Sequence, residues 1–381
     1  MDSPWLGQVF FSLCGRLSDL SFVRFKHQKT ELNSHSLMKN AALFAAAGIM
    51  LATASVQSAD PGYHFLKEIP IGGEGGWDYL TVDESARRLY VSHATKVIVV
   101  DIDKDKIVGE VADMPGVHGI AIATLSPELH VGFSSNGRED KISMFDVKTL
   151  KTTTKAAAGK NPDAILFVPQ RAEIYAFNGR DHSVSVFEAD DADPVGTIPL
   201  PGKPEFATTD PKANRVYCNI EDKNEVAVID TATRKVVEHW PIAPGEEASG
   251  MAIDLEHHRL FIGCANKLMV MMDSTNGKVL GSVPIGGHVD ANAFDPGTQL
   301  AFSSNGEGNV TIAHEDSPDK LTVVQTLTTE PSARTMALDP KTHNIYLSCA
   351  KMGPAPAGSE KKRGEMVPGS FKVLVYGPGK N

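Results

Sequence analysis

The sequence predicts an all-β fold, a β-propeller of seven blades with four antiparallel strands in each blade. The first observation is a short pattern that recurs seven times at intervals of 41 to 44 residues. The second is an aromatic residue seven positions after the anchor residue of every copy. A repeat of about 42 residues that holds several short strands is typical of propeller blades. The anchor residues are Asp83, Ser126, Val168, Asp210, Asp254, Asp295 and Asp339, and the aromatic residues are Tyr90, Phe133, Tyr175, Tyr217, Phe261, Phe302 and Tyr346.

Each repeat is predicted to form four strands, A to D. Strand A is a short run of small and apolar residues that ends at the anchor, where Asp-Pro and similar pairs favour a turn. Strand B carries the aromatic residue, as in "RVYCN". Strand C alternates in polarity, as in "EVAVIDT", and strand D follows a polar turn, as in "SVPIGG".

The two ends of the repeat array complement each other, which is the third observation. Glu68–Gly73 reads "EIPIGG" and copies the D strand at Ser282–Gly287, yet no A, B or C strand precedes it. The chain ends with "SFKVLVYGP", a C strand with no D strand after it. We therefore expect the N-terminal strand to complete the last blade, which removes the open sheet edges.

The pentapeptide Phe-Ser-Ser-Asn-Gly occurs twice, beginning at Phe133 and at Phe302. The two copies lie 169 residues apart, which corresponds to four repeats. Their Asn-Gly pairs are typical of tight hairpin turns, so we interpret the repetition as a feature of blades 2 and 6 rather than a duplicated active site.

The N-terminal region is predicted to lie outside the propeller, which we assign to residues 60–381. Residues 38–59 have a lysine, an apolar run of about a dozen residues and small residues at the expected cleavage region, the pattern of a secretory signal peptide. Residues 1–37 show no domain-like pattern, so we expect translation to start at Met38. The mature protein would be periplasmic or secreted with no stable membrane span; a retained anchor is the alternative.

Composition excludes several classes of function. The formal charge of −10 argues against a nucleic-acid partner, which requires a basic surface. Cys218, Cys264 and Cys349 are too few for a disulfide framework, and we expect them to be buried in strands. The c-type haem motif CxxCH does not occur, and neither do the GxSxG, HExxH and Walker motifs.

The repeats "RRLYVSH", "NRVYCNIEDKNEVAVIDTATRKVV" and "HNIYLS" resemble the YVTN-type repeat of YncE-like propeller proteins, which are secreted or periplasmic. The resemblance covers about Tyr63–Gly379. It implies the propeller fold, whereas the activity of most members is unassigned. Wider relatives range from binding proteins to lactonases and haem- or quinone-linked redox proteins.

Candidate site residues lie at the start of strand A, where the D–A and B–C loops surround the channel mouth. Counting five residues back from each anchor gives Asp78, Ala121, Asp163, Glu205, Ser249, Asp290 and Arg334. The ligand-binding candidates are the charged members of this set together with Trp77, His118, Asn136, Asn178, Glu247, His288 and Asn305. Two interpretations stay open: the side chains cap strand ends and hairpin turns, or they converge on one point of the channel.

A divalent cation is the cofactor that such a set would bind. Oxygen ligands from Asp78, Asp163, Glu205 and Asp290 suit Ca²⁺ or Mg²⁺, and His118 and His288 together with carboxylates would suit Zn²⁺ or Fe. The pair His257-His258 falls in an A–B turn on the opposite face, where we expect surface residues.

Blade 7 carries an insertion at residues 351–369, rich in Pro, Gly and Ala and including Lys361, Lys362 and Arg363. Long loops in compact domains are usually functional or disordered. The insertion is therefore either a lid that brings basic residues to the mouth or a solvated excursion.

Two functions follow from these expectations. The first is an exported propeller that binds a small ligand, a metal ion or a protein partner at the loop face of its channel. The alternative is a metal-dependent hydrolase of lactonase type, in which a channel cation polarises the carbonyl. Its catalytic candidates are Glu205 and Asp290 as general base, and Arg334.

Overall fold

The computed structural model describes residues 62–126, 128–354 and 364–379. These residues form seven four-stranded antiparallel sheets arranged as the blades of a propeller, so the predicted fold is confirmed. One 3₁₀ turn, Glu221–Lys223, is the helical segment in the described ranges, and no helix there is long and apolar enough to cross a membrane. The predicted extension (1–37) and signal peptide (38–59) lie outside the described residues.

The first four blades follow one another along the chain. Blade 1 consists of β2 (Trp77–Asp83), β3 (Arg88–His93), β4 (Lys96–Asp101) and β5 (Lys106–Val111). Blade 2 consists of β6 (Val117–Thr124), β7 (His130–Asn136), β8 (Lys141–Asp146) and β9 (Lys151–Ala157). Blade 3 consists of β10 (Pro162–Val168), β11 (Glu173–Asn178), β12 (Ser183–Glu188) and β13 (Pro194–Pro199). Blade 4 consists of β14 (Pro204–Asp210), β15 (Arg215–Ile220), β16 (Glu225–Asp230) and β17 (Lys235–Pro241).

The last three blades close the ring. Blade 5 consists of β18 (Ala248–Asp254), β19 (Arg259–Cys264), β20 (Leu268–Asp273) and β21 (Val279–Pro284). Blade 6 consists of β22 (Val289–Asp295), β23 (Leu300–Asn305), β24 (Asn309–Ser317) and β25 (Lys320–Thr328). Blade 7 consists of β26 (Met336–Asp339), β27 (Asn344–Cys349) and β28 (Lys372–Pro378), and it is completed by β1 (Tyr63–Pro70). The predicted closure by the N-terminal strand is confirmed, with Tyr63 opposite Pro378 and Pro70 opposite Lys372.

The core lies between neighbouring blades. All seven repeat aromatics are 2 % exposed or less, because strand B presents them to the adjacent blade. The Tyr217 hydroxyl in blade 4, for example, donates a 2.8 Å hydrogen bond to the carbonyl of Ser274 in blade 5. The three cysteines Cys218, Cys264 and Cys349 are buried free thiols, as predicted.

The second serine of each Phe-Ser-Ser-Asn-Gly copy joins two blades. The hydroxyl of Ser135 in blade 2 donates to the carbonyl of Asp163 in blade 3, and that of Ser304 in blade 6 donates to the carbonyl of Arg334 in blade 7. Asn219 makes the equivalent bond from blade 4 to the carbonyl of Ser249, at 2.7 Å. These bonds fix the backbone at the start of the next strand A, where the candidate residues lie.

Candidate functional site at the channel mouth

Strand pairing shows which residues occupy equivalent positions at the mouth of the channel. In every blade, the aromatic residue of strand B pairs with a residue of strand A. That residue lies three positions after the blade's residue at the channel mouth. Phe133 pairs with Ala121, whereas Tyr90 pairs with Thr81. The equivalent of Asp78 in blade 2 is therefore His118 and not Ala121, because the connection from strand A to the aromatic is three residues longer there. The mouth ring is thus formed by Asp78, His118, Asp163, Glu205, Ser249, Asp290 and Arg334.

The mouth ring surrounds a cavity of about 740 Å³. Six of its seven members line this cavity, and the seventh, His118, contacts Asp78. Four carboxylates, one guanidinium, one imidazole and one hydroxyl therefore meet at one end of the channel. The two interpretations left open by the sequence are resolved for this set: the side chains converge.

The tightest cluster of the ring comprises Asp78, His118 and Asp163, from blades 1, 2 and 3. His118 Nδ1 lies 2.6 Å from Asp78 Oδ2 and 3.7 Å from Asp163 Oδ1. One ligating atom from each residue lies within 4.8 Å of the others. Two serine side chains hold the backbone of the cluster in place. Ser92 Oγ accepts a hydrogen bond from the Asp78 N–H at 2.8 Å, and Ser135 Oγ accepts one from the Gly119 N–H at 2.9 Å.

Arg334 lies in the ring between Asp290 and Asp78. Its guanidinium donates to Asp290 Oδ2 and lies 3.7 Å from Asp78 Oδ1. The hydroxyl of Ser249 lies 3.4 Å from the second oxygen of Asp290. Arg334 therefore offsets part of the negative charge and links blades 6, 7 and 1.

Glu205 is balanced by a residue that sequence analysis missed. The ammonium group of Lys203 donates to both Glu205 and Glu221. Glu221 also lines the cavity. Two carboxylates thus share one ammonium group.

The crowding of carboxylates perturbs their protonation. Burial, with the charge of Asp78, raises the pKa of Asp163 to about 6. Burial raises the pKa of Glu205 to about 8 and that of Asp290 to about 7, although Lys203 and Arg334 oppose these shifts. Burial lowers the pKa of His118, but Asp78 and Asp163 outweigh it, so the net change is a rise. Near neutral pH the ring can therefore hold or release protons.

Tyr79 also faces this cavity and was not predicted as a site residue. Burial, and then the four neighbouring carboxylates, raise the pKa of its phenol well above the usual value. Its ring packs against Phe206, with centroids 5.5 Å apart. Tyr79 therefore stays a neutral hydrogen-bonding group inside the acidic cavity.

The remaining predicted residues occupy other places. Glu247 and His288 are exposed on the rim of the cavity. Asn136, Asn178 and Asn305 are fully buried and do not line it. Their amide groups donate to hydroxyls of strand C, as in the 2.7 Å bond from Asn136 Nδ2 to Ser143 Oγ. These three asparagines hold the B–C hairpins.

Trp77 lies beneath the insertion of blade 7, away from the cavity. Its indole ring is 5.3 Å from the ring of Phe371. It lines a separate depression with Met352, Met366 and Pro368 from the described parts of the insertion. A bridge between Met352 and Met366 forms the stem of the insertion, and Lys361, Lys362 and Arg363 lie outside the described residues.

Comparison with known proteins supports the fold. No protein-family model and no curated protein matches the chain. Among solved structures, the Kuenenia stuttgartiensis hydrazine synthase is similar, with a TM-score of 0.63 and 17 % identity, over 72 % of this chain and 92 % of that chain. At this identity the similarity shows the propeller fold alone. The YncE-like relationship stays a prediction.

Proposed function

We propose that this propeller is a binding protein that holds a divalent metal ion, and through it a small ligand, at its channel mouth. One observation carries the proposal: Asp78, His118 and Asp163 bring one nitrogen and two carboxylate ligands within 4.8 Å of one another. Mixed nitrogen and oxygen ligands favour Zn²⁺ or another first-row transition metal over Ca²⁺ and Mg²⁺.

The charge of the ring supports a cationic occupant. Four carboxylates share one channel mouth with one guanidinium, and the pKa values of three of them are raised towards neutrality. A bound cation would favour their ionised forms and release the protons that they hold.

The size and polarity of the cavity support a second, organic ligand. About 740 Å³ is sufficient for a small molecule. Arg334 and Tyr79 offer donors beside the metal ligands, since the Arg334 guanidinium lies 3.7 Å from Asp78 Oδ1 and Tyr79 lines the same cavity. We therefore propose a ligand that carries a carboxylate or a similar oxygen anion. The predicted signal peptide would place this binding outside the cytoplasm.

The test is a titration of the metal-free purified protein with Zn²⁺, followed by calorimetry. We expect His118→Ala and Asp163→Asn to lose one equivalent of bound Zn²⁺. His288→Ala is the matched control, because His288 is an exposed histidine on the rim of the same cavity. Equal stoichiometry and affinity in wild-type protein and His118→Ala would refute the proposal.

The alternative, a hydrolase of lactonase type, has one specific observation in its favour. The pKa values of Glu205 and Asp290 lie at about 8 and about 7, which suits general acid–base catalysis near neutral pH. A panel of lactones offered to the Zn²⁺-loaded protein tests it. We expect Glu205→Gln or Asp290→Asn to reduce kcat by about 10²- to 10⁴-fold if hydrolysis occurs. Metal binding without lactone turnover would leave the binding function and exclude this hydrolase.

A further inference from the structure

The face opposite the mouth carries a regular series of contacts between blades. There, in three blades, the carboxylate of an anchor residue meets a basic side chain from the turn of the next blade. Arg87 donates two hydrogen bonds to Asp339, at 2.8 and 2.7 Å. His343 Nδ1 lies 2.6 Å from Asp295 Oδ2, and a histidine of blade 5 lies 3.8 Å from Asp210. In these three contacts the buried anchor carboxylate thus faces a side chain four positions after the next anchor.

The contact between blades 5 and 6 departs from this series. Its anchor carboxylate, Asp254, is 1 % exposed. The residue four positions after the next anchor is Gln299, which is neutral and donates to the carbonyl of Pro296. No cation from blade 6 therefore compensates Asp254 within the described part of the chain.

A second carboxylate, Glu315, is added at the same place. Its backbone N–H donates to the carbonyl of Gln299 at 2.9 Å. The same backbone bond identifies the equivalent residue in four other blades. Those residues are small or apolar, and all are buried: Ile102, Ala189, Thr231 and Ser274. Blade 6 therefore buries a carboxylate at a position where these four blades bury an aliphatic side chain or a hydroxyl.

The carboxylate of Glu315 is buried without compensation by hydrogen bonds. Its side chain is fully shielded from solvent, and neither oxygen has a hydrogen-bond partner among the described residues. His257 Nδ1 is the nearest basic atom, 3.5 Å from Glu315 Oε1 and 2.7 Å from Asp254 Oδ2. An ionised carboxylate in such a position is costly unless a cation accompanies it.

We propose that Asp254, His257 and Glu315 form a second metal site, one that binds Zn²⁺ or a similar transition-metal ion and clamps blade 5 to blade 6. One ligating atom from each residue lies within 4.8 Å of the others. Tetrahedral Zn²⁺ with bonds of about 2.0–2.2 Å separates its ligand atoms by roughly 3.4 Å, so small side-chain movements suffice. The turn orients Asp254, whose Oδ1 accepts the Glu256 N–H at 2.9 Å.

The site has a route to solvent. Asp254 lines a depression of about 580 Å³ on this face, together with Lys212 and His258. Lys212 makes no ion pair with the three ligands in the described structure, so it does not replace the missing cation. His257 is partly exposed, so we expect water to supply the fourth ligand from its side.

The experiment separates this site from the mouth. In metal-free protein carrying His118→Ala, Zn²⁺ alone is titrated, and stoichiometry is measured by native mass spectrometry. We expect one equivalent to bind. His257→Ala should weaken this binding by more than about 100-fold, beyond the loss that an outer partner causes. Glu315→Thr copies the residue of blade 4 and should also weaken binding while preserving the fold.

The neighbouring histidine supplies the matched control, because His258→Ala alters the same turn without touching the cluster. We expect His258→Ala to bind Zn²⁺ like its parent, and Zn²⁺ to raise the Tm of that protein but not of Glu315→Thr. Unchanged Zn²⁺ binding in both His257→Ala and Glu315→Thr, or no binding in the parent, would overturn the proposal. A carboxyl–carboxylate hydrogen bond between Glu315 and Asp254 would then account for the cluster. If variants of the wild-type protein lose bound Zn²⁺ only when His118 is replaced by Ala, the mouth would be the one metal site left.

Discussion

Replacing Asp163 with Asn should stabilise the metal-free protein, and only above a certain pH. Asp163 is the ring carboxylate with the weakest compensation, because its nearest cationic atom is His118 Nδ1 at 3.7 Å. Burial and the charge of Asp78 raise its pKa from the usual 3.8 to about 6. Between these values the folded state binds more protons than the unfolded state. Folding stability from this group is therefore complete below pH 3.8 and falls as the pH rises to 6.

The size of the effect follows from the shift. One pKa unit corresponds to 1.36 kcal/mol, so a rise from 3.8 to about 6 costs about 3 kcal/mol above pH 6. Asn removes this cost, which is already net of the attraction to His118, so we expect a gain of up to about 3 kcal/mol at pH 8 and none at pH 3.5. For roughly 320 folded residues, 1 kcal/mol shifts the Tm by about 1.5 °C, so the Tm should rise by up to about 5 °C.

Thermal unfolding in EDTA, recorded from pH 3.5 to pH 8, is the assay. Glu246→Gln is the matched control, because Glu246 is an exposed carboxylate on the same face. We expect its Tm to follow wild-type protein at every pH. A Tm of Asp163→Asn equal to or below that of wild-type protein at pH 8 would refute the electrostatic reasoning. A shift that does not change with pH would refute it equally.

Three further changes test the architecture. Arg87→Met leaves the fully buried carboxylate of Asp339 unpaired and should lower stability by about 3–5 kcal/mol in thermal unfolding; the double variant with Asp339→Leu should recover most of it, and no recovery would contradict a charge effect. Ser304→Ala removes the hydrogen bond to the Arg334 carbonyl and should lower the free energy of unfolding by about 1 kcal/mol. An unchanged Tm would show that this bond between blades 6 and 7 is dispensable. Deleting Tyr63–Pro70 exposes the edge of blade 7 and should produce aggregates in size-exclusion chromatography; a soluble monomer would contradict the need for closure.

The sequence predicted the fold because each blade repeats the same local rules. The aromatic that strand B buries and the turn at the anchor recur at a nearly constant interval, and seven copies determine seven blades. The position of the mouth ring followed from the same count in six blades. It was wrong in blade 2, where the longer turn displaced the count by three residues. The segment "VHGIAI" from Val117 matches "ASGMAI" from Ala248 and would have placed His118 beside Ser249.

The direction in which the remaining site residues point depends on side-chain packing, which the spacing of residues in the sequence does not reveal. Asn136 and Asp163 are both polar residues at strand ends on one face, yet the first is turned into its own hairpin and the second into the channel. Glu315 lies near the end of strand C of blade 6, and only the pairing of whole blades shows that it meets Asp254. The pair His257-His258 was interpreted as surface; it is partly exposed, but each histidine faces a buried carboxylate.

The pairing of β1 with β28 sets an order of events during synthesis. Tyr63 and Pro378 are neighbours in the sheet but 315 positions apart in the chain. At 5–20 residues per second, roughly 15–60 s pass between the synthesis of the two partners. Until β26 to β28 of blade 7 have been synthesised, the apolar residues of β1 are without the surface on which they pack. Closure of the ring is thus the final step of folding. A factor that holds β1 extended would control when the channel and its mouth form.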